Sequence, residues 1–140
     1  MGSLKPAFAY TVVYVKDVAK SVSFYANAFG TNVCRLDESH KWGELESGQT
    51  TIAFTPLHQD ETDDITGTVC TPRSDTERQP VEVCFAYADV DVAYKRAVKN
   101  GAVPVREPEE KVWGQKVGYV RDIDDGIVVR IGSNVKEPRK

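Results

Sequence analysis

A chain of 140 residues has the length of one ordinary domain, enough to bury most of the apolar surface its unfolded form exposes, although two half-domains of about 70 residues also fit. Its formal charge of −3, with acids and bases mixed along the chain, argues against a nucleic-acid partner, which needs a concentrated basic face. No run approaches the roughly 20 apolar residues of a membrane span, and the N-terminus lacks the basic and apolar regions of a secretory signal, so a cytoplasmic protein with no membrane partner is expected.

Met1 to Pro6 reads as a short lead and Phe8 to Lys16 as the first strand, with Val13 and Val15 facing one way and Tyr10, Val12 and Tyr14 the other. Asp17 then opens a helix carrying Val18, Val22, Tyr25 and Phe29, which Gly30 ends. Asn32 to Leu36 follows as a strand, and Trp42 to Glu46 and Thr50 to Phe54 as two more around the Ser47-Gly48 turn. Leu45, Ile52 and Phe54 join the helix-facing core; Trp42, Glu44, Thr51 and Ala53 fall on the opposite face. Pro56 to Pro80 is polar, acidic from Asp60 to Asp64 and without clear periodicity, so it reads as a long mobile connector. His40 and His58 lack ligand-like neighbours and read as surface histidines.

The stretch from Val81 to Ala102 repeats the opening device. Val81, Val83, Phe85 and Tyr87 alternate with Glu82, Cys84, Ala86 and Ala88, the period of a strand with one face against a core. Asp89 is placed to cap a helix bearing Val90, Ala93, Tyr94, Ala97 and Val98, and Gly101 after Asn100 stops it. Strands are expected at Ala102 to Arg106, Gln115 to Val120 and Gly126 to Ile131, with an acidic turn from Glu107 to Lys111. In the last strand Ile127, Val129 and Ile131 alternate with Val128 and Arg130, which leaves a guanidinium on the face away from the helix, an expensive residue there without a partner.

The chain is therefore internally duplicated. It reads as an α+β protein of two βαβββ modules, residues 7–56 and 80–133, joined by a connector at 57–79, with curved mixed sheets and helices on the convex face. Val18, Val22, Phe29, Phe85, Val129 and Ile131 are expected among the most buried residues. Superposed at Asp17 and Asp89, the copies place Tyr10 and Glu82 at one position, seven before the cap. Cys34, Cys70 and Cys84 are odd in number and far apart, which suits reduced thiols; no C-x-x-C or His pair offers zinc spacing, and Cys84 reads as a small core residue. The concave faces present Tyr10, Tyr14, Trp42, Glu44, Glu82 and Arg130, a mixture of aromatic and polar groups of the kind that lines small-molecule sites.

The segments YTVVYVKDVAKSVSFYANAFG, VEVCFAYADVDVAYKRAVKNGA and VRDIDDGIVVRI resemble the vicinal oxygen chelate superfamily, which includes glyoxalase I, extradiol dioxygenases and bleomycin and fosfomycin resistance proteins. The resemblance covers Ala7 to Gly132 and implies a single vicinal oxygen chelate domain over 1–140. The closing strand and the Trp113-Gly114-Gln115 turn are also similar to plant stress-related glyoxalase-like members. The resemblance implies a divalent metal held at four strand positions, which here are Tyr10, Ala53, Glu82 and Arg130. That set departs from the family's pattern at three of the four, so no metal and no other cofactor is expected.

Three readings follow from the resemblance. The first is a metal-free binding protein, a homodimer whose cavity takes a small-molecule ligand between Tyr10, Tyr14, Trp42, Ala53 and Tyr119, with Glu44, Glu82 and Arg130 fixing its orientation. The second is an enzyme, either a lyase acting on a glutathione hemithioacetal or an acid-base catalyst using Glu82 and Tyr10. The third is a protein with a vestigial cavity that acts through partners. A salt bridge between Glu82 and Arg130 is expected in place of the metal, and breaking it is expected to cost roughly 3 to 5 kcal/mol if it is well buried.

Overall fold

The computed structural model describes residue 4 and residues 6–48, 50–58, 60–70, 77–123 and 126–134. Part of the expected lead and residues 59 and 71–76 of the connector lie outside the described residues. The element order is β1 (Tyr10–Val15), α1 (Val18–Phe29), β2 (Asn32–Leu36), β3 (Gly43–Ser47), β4 (Thr50–Pro56), α2 (Asp60–Thr66), β5 (Glu82–Ala86), α3 (Val90–Lys99), β6 (Val103–Glu110), β7 (Lys116–Arg121) and β8 (Val128–Gly132). The strands form two four-stranded mixed sheets in the orders β1-β4-β3-β2 and β5-β8-β7-β6, each with one parallel pair, so the βαβββ pattern occurs twice and neither sheet closes into a barrel. The chain divides into two compact units, Met1–Ala26 with Thr31–Val69 and Asn27–Gly30 with Cys70–Lys140.

In the first unit the period-two pattern of the strands sorts core from open face. Val13, Val15, Leu45, Ile52 and Phe54 are buried on the side that α1 covers. Asp17 accepts the Lys20 backbone N–H at 3.0 Å and so starts the helix. Tyr25 of α1 then packs on Phe54 with ring centroids 5.0 Å apart. Val22 lies so close to Gly43 that a Cβ there would stand 2.6 Å from the valine Cγ2. The absence of a side chain at Gly43 is therefore what lets this helix settle on β3.

In the second unit Asp89 caps α3 by accepting the Val92 N–H at 3.1 Å, and Val90, Ala93, Tyr94 and Ala97 are buried. Lys116 of β7 donates to Asp91 in the first helical turn at 2.6 Å, which ties the start of α3 to the sheet. Residues 27–30, which end α1, belong to this unit. Phe29 stacks on Phe85 at 5.2 Å, the Tyr87 hydroxyl donates to the Phe29 carbonyl at 2.5 Å, and the Arg96 guanidinium stands 5.9 Å from the Tyr87 ring. Burial pushes the Tyr87 phenol up, against the lowering effect of Arg96.

Four expectations need correction. Val18, Val22, Phe29, Val129 and Ile131 are buried as expected, but Phe85 is only half-buried, and Cys84 is exposed rather than a core residue. Both sit on β5, which is an edge strand, so parity chooses their face but no second neighbour covers them. The connector is not without structure, because it carries α2, and His58 just ahead of that helix pairs with Asp63 at 3.5 Å. The acidic stretch expected as a turn, Glu107 to Lys111, instead extends β6 to Glu110. Among the described residues no helix is long and apolar enough to cross a membrane.

Candidate functional site

Strand register decides which side chains share the face that each sheet turns away from its helix. In the first sheet one cross-strand row runs Val12, Ala53, Glu44, Arg35. In the second the corresponding row runs Cys84, Arg130, Tyr119, Arg106. Each row has a register shift beside its outer arginine, between Val33 and Arg35 and between Pro104 and Arg106. Two residues before Val12 and Cys84 on the same faces stand Tyr10 and Glu82. Ala53 and Arg130 thus occupy equivalent places in the two copies, as do Tyr10 and Glu82.

The first open face brings together Tyr10, Trp42 and Glu44. The Trp42 indole N–H donates to Glu44 Oε2 at 2.6 Å, and Arg35 Nε lies 4.0 Å from the same oxygen. Tyr10 meets the Trp42 ring edge-on, centroids 6.1 Å apart at 90°, and is half-exposed. Trp42 stands just before β3 rather than inside it, so its indole reaches along the face to Glu44. Ala53 is fully shielded from solvent, and Tyr14 is half-buried on the same face.

The second open face brings together Glu82, Arg130 and Tyr119. Arg130 donates from Nε at 3.2 Å and lies with Nη2 at 3.1 Å from the same Glu82 oxygen, Oε1. The other carboxylate oxygen lies 3.4 Å from Arg78 Nη1. The Tyr119 ring lies under the guanidinium, 5.3 Å from Cζ, a cation–π contact that fixes its plane. The side chains of Arg130 and Glu82 remain 32% and 25% exposed, so the expected ion pair is present but is partly solvated rather than well buried. Each oxygen of Glu82 therefore faces a guanidinium. Cys84 is exposed as a residue, yet partial burial, reinforced by Glu82, raises its thiol pKa against the opposing pull of Arg130. A raised pKa keeps the sulfur protonated, which is the wrong state for a nucleophile.

Arg78 and Arg35 escaped the sequence reading. Arg78 lies four residues before Glu82, and Arg35 is on a strand whose pairing with β3 could not be registered through its shift. The four positions at which the family resemblance places metal ligands can be tested by donor chemistry. Zinc, nickel or iron takes three or four imidazole, carboxylate or thiolate donors. Tyr10, Ala53, Glu82 and Arg130 supply one carboxylate, a phenol, a methyl group and a fixed positive charge, and they do not fit a divalent metal. Among the described residues no group of three or more His, Cys, Asp or Glu is placed to hold an ion.

Among curated proteins the chain is similar to an uncharacterized protein of Mycobacterium bovis, 25% identical over 120 residues that cover 86% of this chain and 78% of that one. It is also similar to an uncharacterized protein of Bacillus subtilis, 24% identical over 115 residues that cover 81% of this chain and 88% of the other. Among solved structures the fold is similar to a glyoxalase-related enzyme from Fulvimarina pelagi, with a TM-score of 0.74, 19% identity and 91% and 88% of the two chains covered. A hypothetical protein from S. aureus gives a TM-score of 0.74 at 20% identity, with 95% and 96% covered. The model of the Glyoxalase/Bleomycin resistance protein/Dioxygenase superfamily matches residues 7–131, from ahead of β1 into β8, and the chain belongs to that superfamily.

Proposed function

We propose that this protein binds a small, partly apolar molecule without a metal ion, holding it against the open face of a sheet. The observation that carries the reading is the Arg130–Glu82 pair. At two of the four positions where the family resemblance places metal ligands, the chain has a guanidinium and its counter-charge, and Tyr10 and Ala53 supply no better donors. On the first sheet Trp42 and Tyr10 offer aromatic area beside Glu44, and on the second Tyr119 does so beside Arg130; Glu44 and Arg130 are already fixed by hydrogen bonds or ring contacts, and each can set the orientation of a ligand on its own face. The protein works in this reading as a homodimer. Support comes from the outer strands β2 and β6, which leave five of five and seven of eight residues exposed, a surface that a second copy can cover.

Protein purified without added metal should contain far less than one equivalent of zinc, nickel or iron, and adding these ions should leave its melting temperature unchanged. In a Trp113→Phe background Trp42 is the remaining indole of the two, and its fluorescence should change saturably with some members of a panel of small aromatic acids, amides and amines. Stoichiometric metal in the purified protein, or turnover of the methylglyoxal–glutathione hemithioacetal, would overturn this reading.

A further inference from the structure

At the ends of β5 and β8 a hollow of about 210 Å³ is lined by Cys84, Arg130, Gln115, Ser133 and Asn134, together with Phe85, Ala86 and Gly132. It has room for roughly seven waters at the volume each takes in the liquid, enough for an acid group and a short organic body. Its hydrogen-bonding character is one-sided. The Gly132 carbonyl already accepts the Tyr87 N–H at 2.8 Å, and the Ser133 carbonyl accepts from Gln115 Nε2 at 2.9 Å. Gln115 Oε1 accepts the Trp113 indole N–H at 2.8 Å, and Ser133 Oγ accepts the Lys116 N–H at 3.0 Å, which leaves the serine hydroxyl hydrogen to donate. Each of these four acceptors already has a donor, and none of the lining residues carries a carboxylate.

Arg130, which also lines the hollow, carries the complementary donors. Glu82 occupies the guanidinium edge formed by Nε and Nη2, with one oxygen against both, and Tyr119 occupies a ring-facing side. The opposite edge, formed by Nη1 and the second Nη2 hydrogen, makes no hydrogen bond or ion pair with another described residue. That edge is the fork which binds two oxygens of a planar or tetrahedral anion at once. Because Glu82 and Tyr119 hold the group in place, a ligand would bind a guanidinium whose side-chain entropy is already lost.

We propose that this hollow is an oxyanion subsite, in which Arg130 with the Ser133 hydroxyl and the Asn134 amide grips the carboxylate or phosphate of a small ligand. The inference rests on the reading of this protein as a metal-free small-molecule binder and names the charge class of what it binds. The nearby Arg78, on the second oxygen of Glu82, neutralises the repulsion that Glu82 would exert on an incoming anion.

The test is titration of the full chain, labelled with ¹⁵N and treated with chelator, with benzoate, benzamide and inorganic phosphate to millimolar concentration. Saturable shifts of the Gly132, Ser133 and Asn134 amides and of the Arg130 side-chain Nε–H with benzoate or phosphate, and not with benzamide, are expected. Benzoate without phosphate would assign a carboxylate ligand, and the reverse a phosphoryl ligand. Arg130→Gln should weaken that binding about tenfold or more, and Ser133→Ala, which leaves the Glu82 pair intact, should weaken it by a smaller factor. Each variant's spectrum reports whether it is folded, and if Arg130→Gln is not, Ser133→Ala carries the test. Equal shifts with benzamide would overturn the oxyanion subsite and leave the metal-free reading standing. So would an absence of saturable shifts with both anions. Stoichiometric metal in the purified protein would overturn the metal-free reading whatever the anions do.

Discussion

Arg130 and Glu82 are worth more to each other than to the fold. Removing Arg130 leaves a carboxylate with only Arg78, at 3.4 Å, for company. Exposed pairs contribute about 0.2–1 kcal/mol, and breaking a buried pair costs about 3–5 kcal/mol; this partly solvated pair lies between, so Arg130→Ala should cost about 1–2 kcal/mol. The double variant Arg130→Ala with Glu82→Ala should be less destabilised than Arg130→Ala alone, as denaturant unfolding of all four proteins would show. If the single effects merely add, the pair is not coupled. Gly43 gives a sharper steric case. An alanine Cβ there would meet Val22 Cγ2 at 2.6 Å and Val18 Cγ1 at 3.2 Å, with rigid β-branched neighbours, so Gly43→Ala should cost about 1–3 kcal/mol. A melting temperature equal to that of the parent protein would mean that α1 can shift outward freely.

The helix α3 is held at its start by two acids with different jobs. Asp89 satisfies a backbone N–H, and Asp91 binds Lys116 on β7. The hydrogen bond that Lys116 donates to Asp91 raises the Lys116 pKa above its ordinary value of 10.5. A raised folded-state pKa means that this contribution is complete below 10.5 and disappears as pH rises through the folded value. The melting-temperature gap between the parent and Lys116→Met should therefore be constant from neutral pH to that point and close above it. A gap that persists in strong alkali would assign the effect to packing of the lysine stem. The caps and the two helices of the repeat could be read from sequence because an Asp followed by apolar residues at helical spacing has few alternatives. The short α2 could not, since six of its seven residues are polar and Ile65 alone makes no apolar stripe. The length of β6 was hidden by Pro104 and Pro108, which resemble strand breakers and are tolerated because β6 is an edge. Phe85 and Cys84 show the limit of alternation: it fixes a side, and sheet position fixes depth.

For the whole molecule, duplication made the architecture readable: one βαβββ pattern recognised twice predicts two mixed sheets without any knowledge of long-range contacts. The open-face chemistry was legible in part. Parity placed Glu82 and Arg130 together, but Arg78 and the hollow beside Ser133 depend on register and loop path, which no local pattern encodes. The proposed homodimer predicts a sedimentation mass of twice 15.5 kDa at micromolar concentration. A mass of one chain under those conditions would remove the second copy from the account of the site.

The register shifts on the two outer strands also bear on how the chain avoids a less useful association. Cys34 puts β2 out of step with its neighbour, and Val105 does the same for β6, which shifts a second time between Arg106 and Glu109; exposed Val33 and Val103 stand beside the first two shifts. An edge interrupted in this way bends and offers a poor template for another strand. A partner can then settle on the faces, while end-to-end stacking into a growing ribbon is blocked in both sheets by the same device. Deleting Cys34, at the single shift of β2, should straighten that edge, and the consequence to watch for is fibril formation, read by dye binding, at concentrations where the parent protein stays clear.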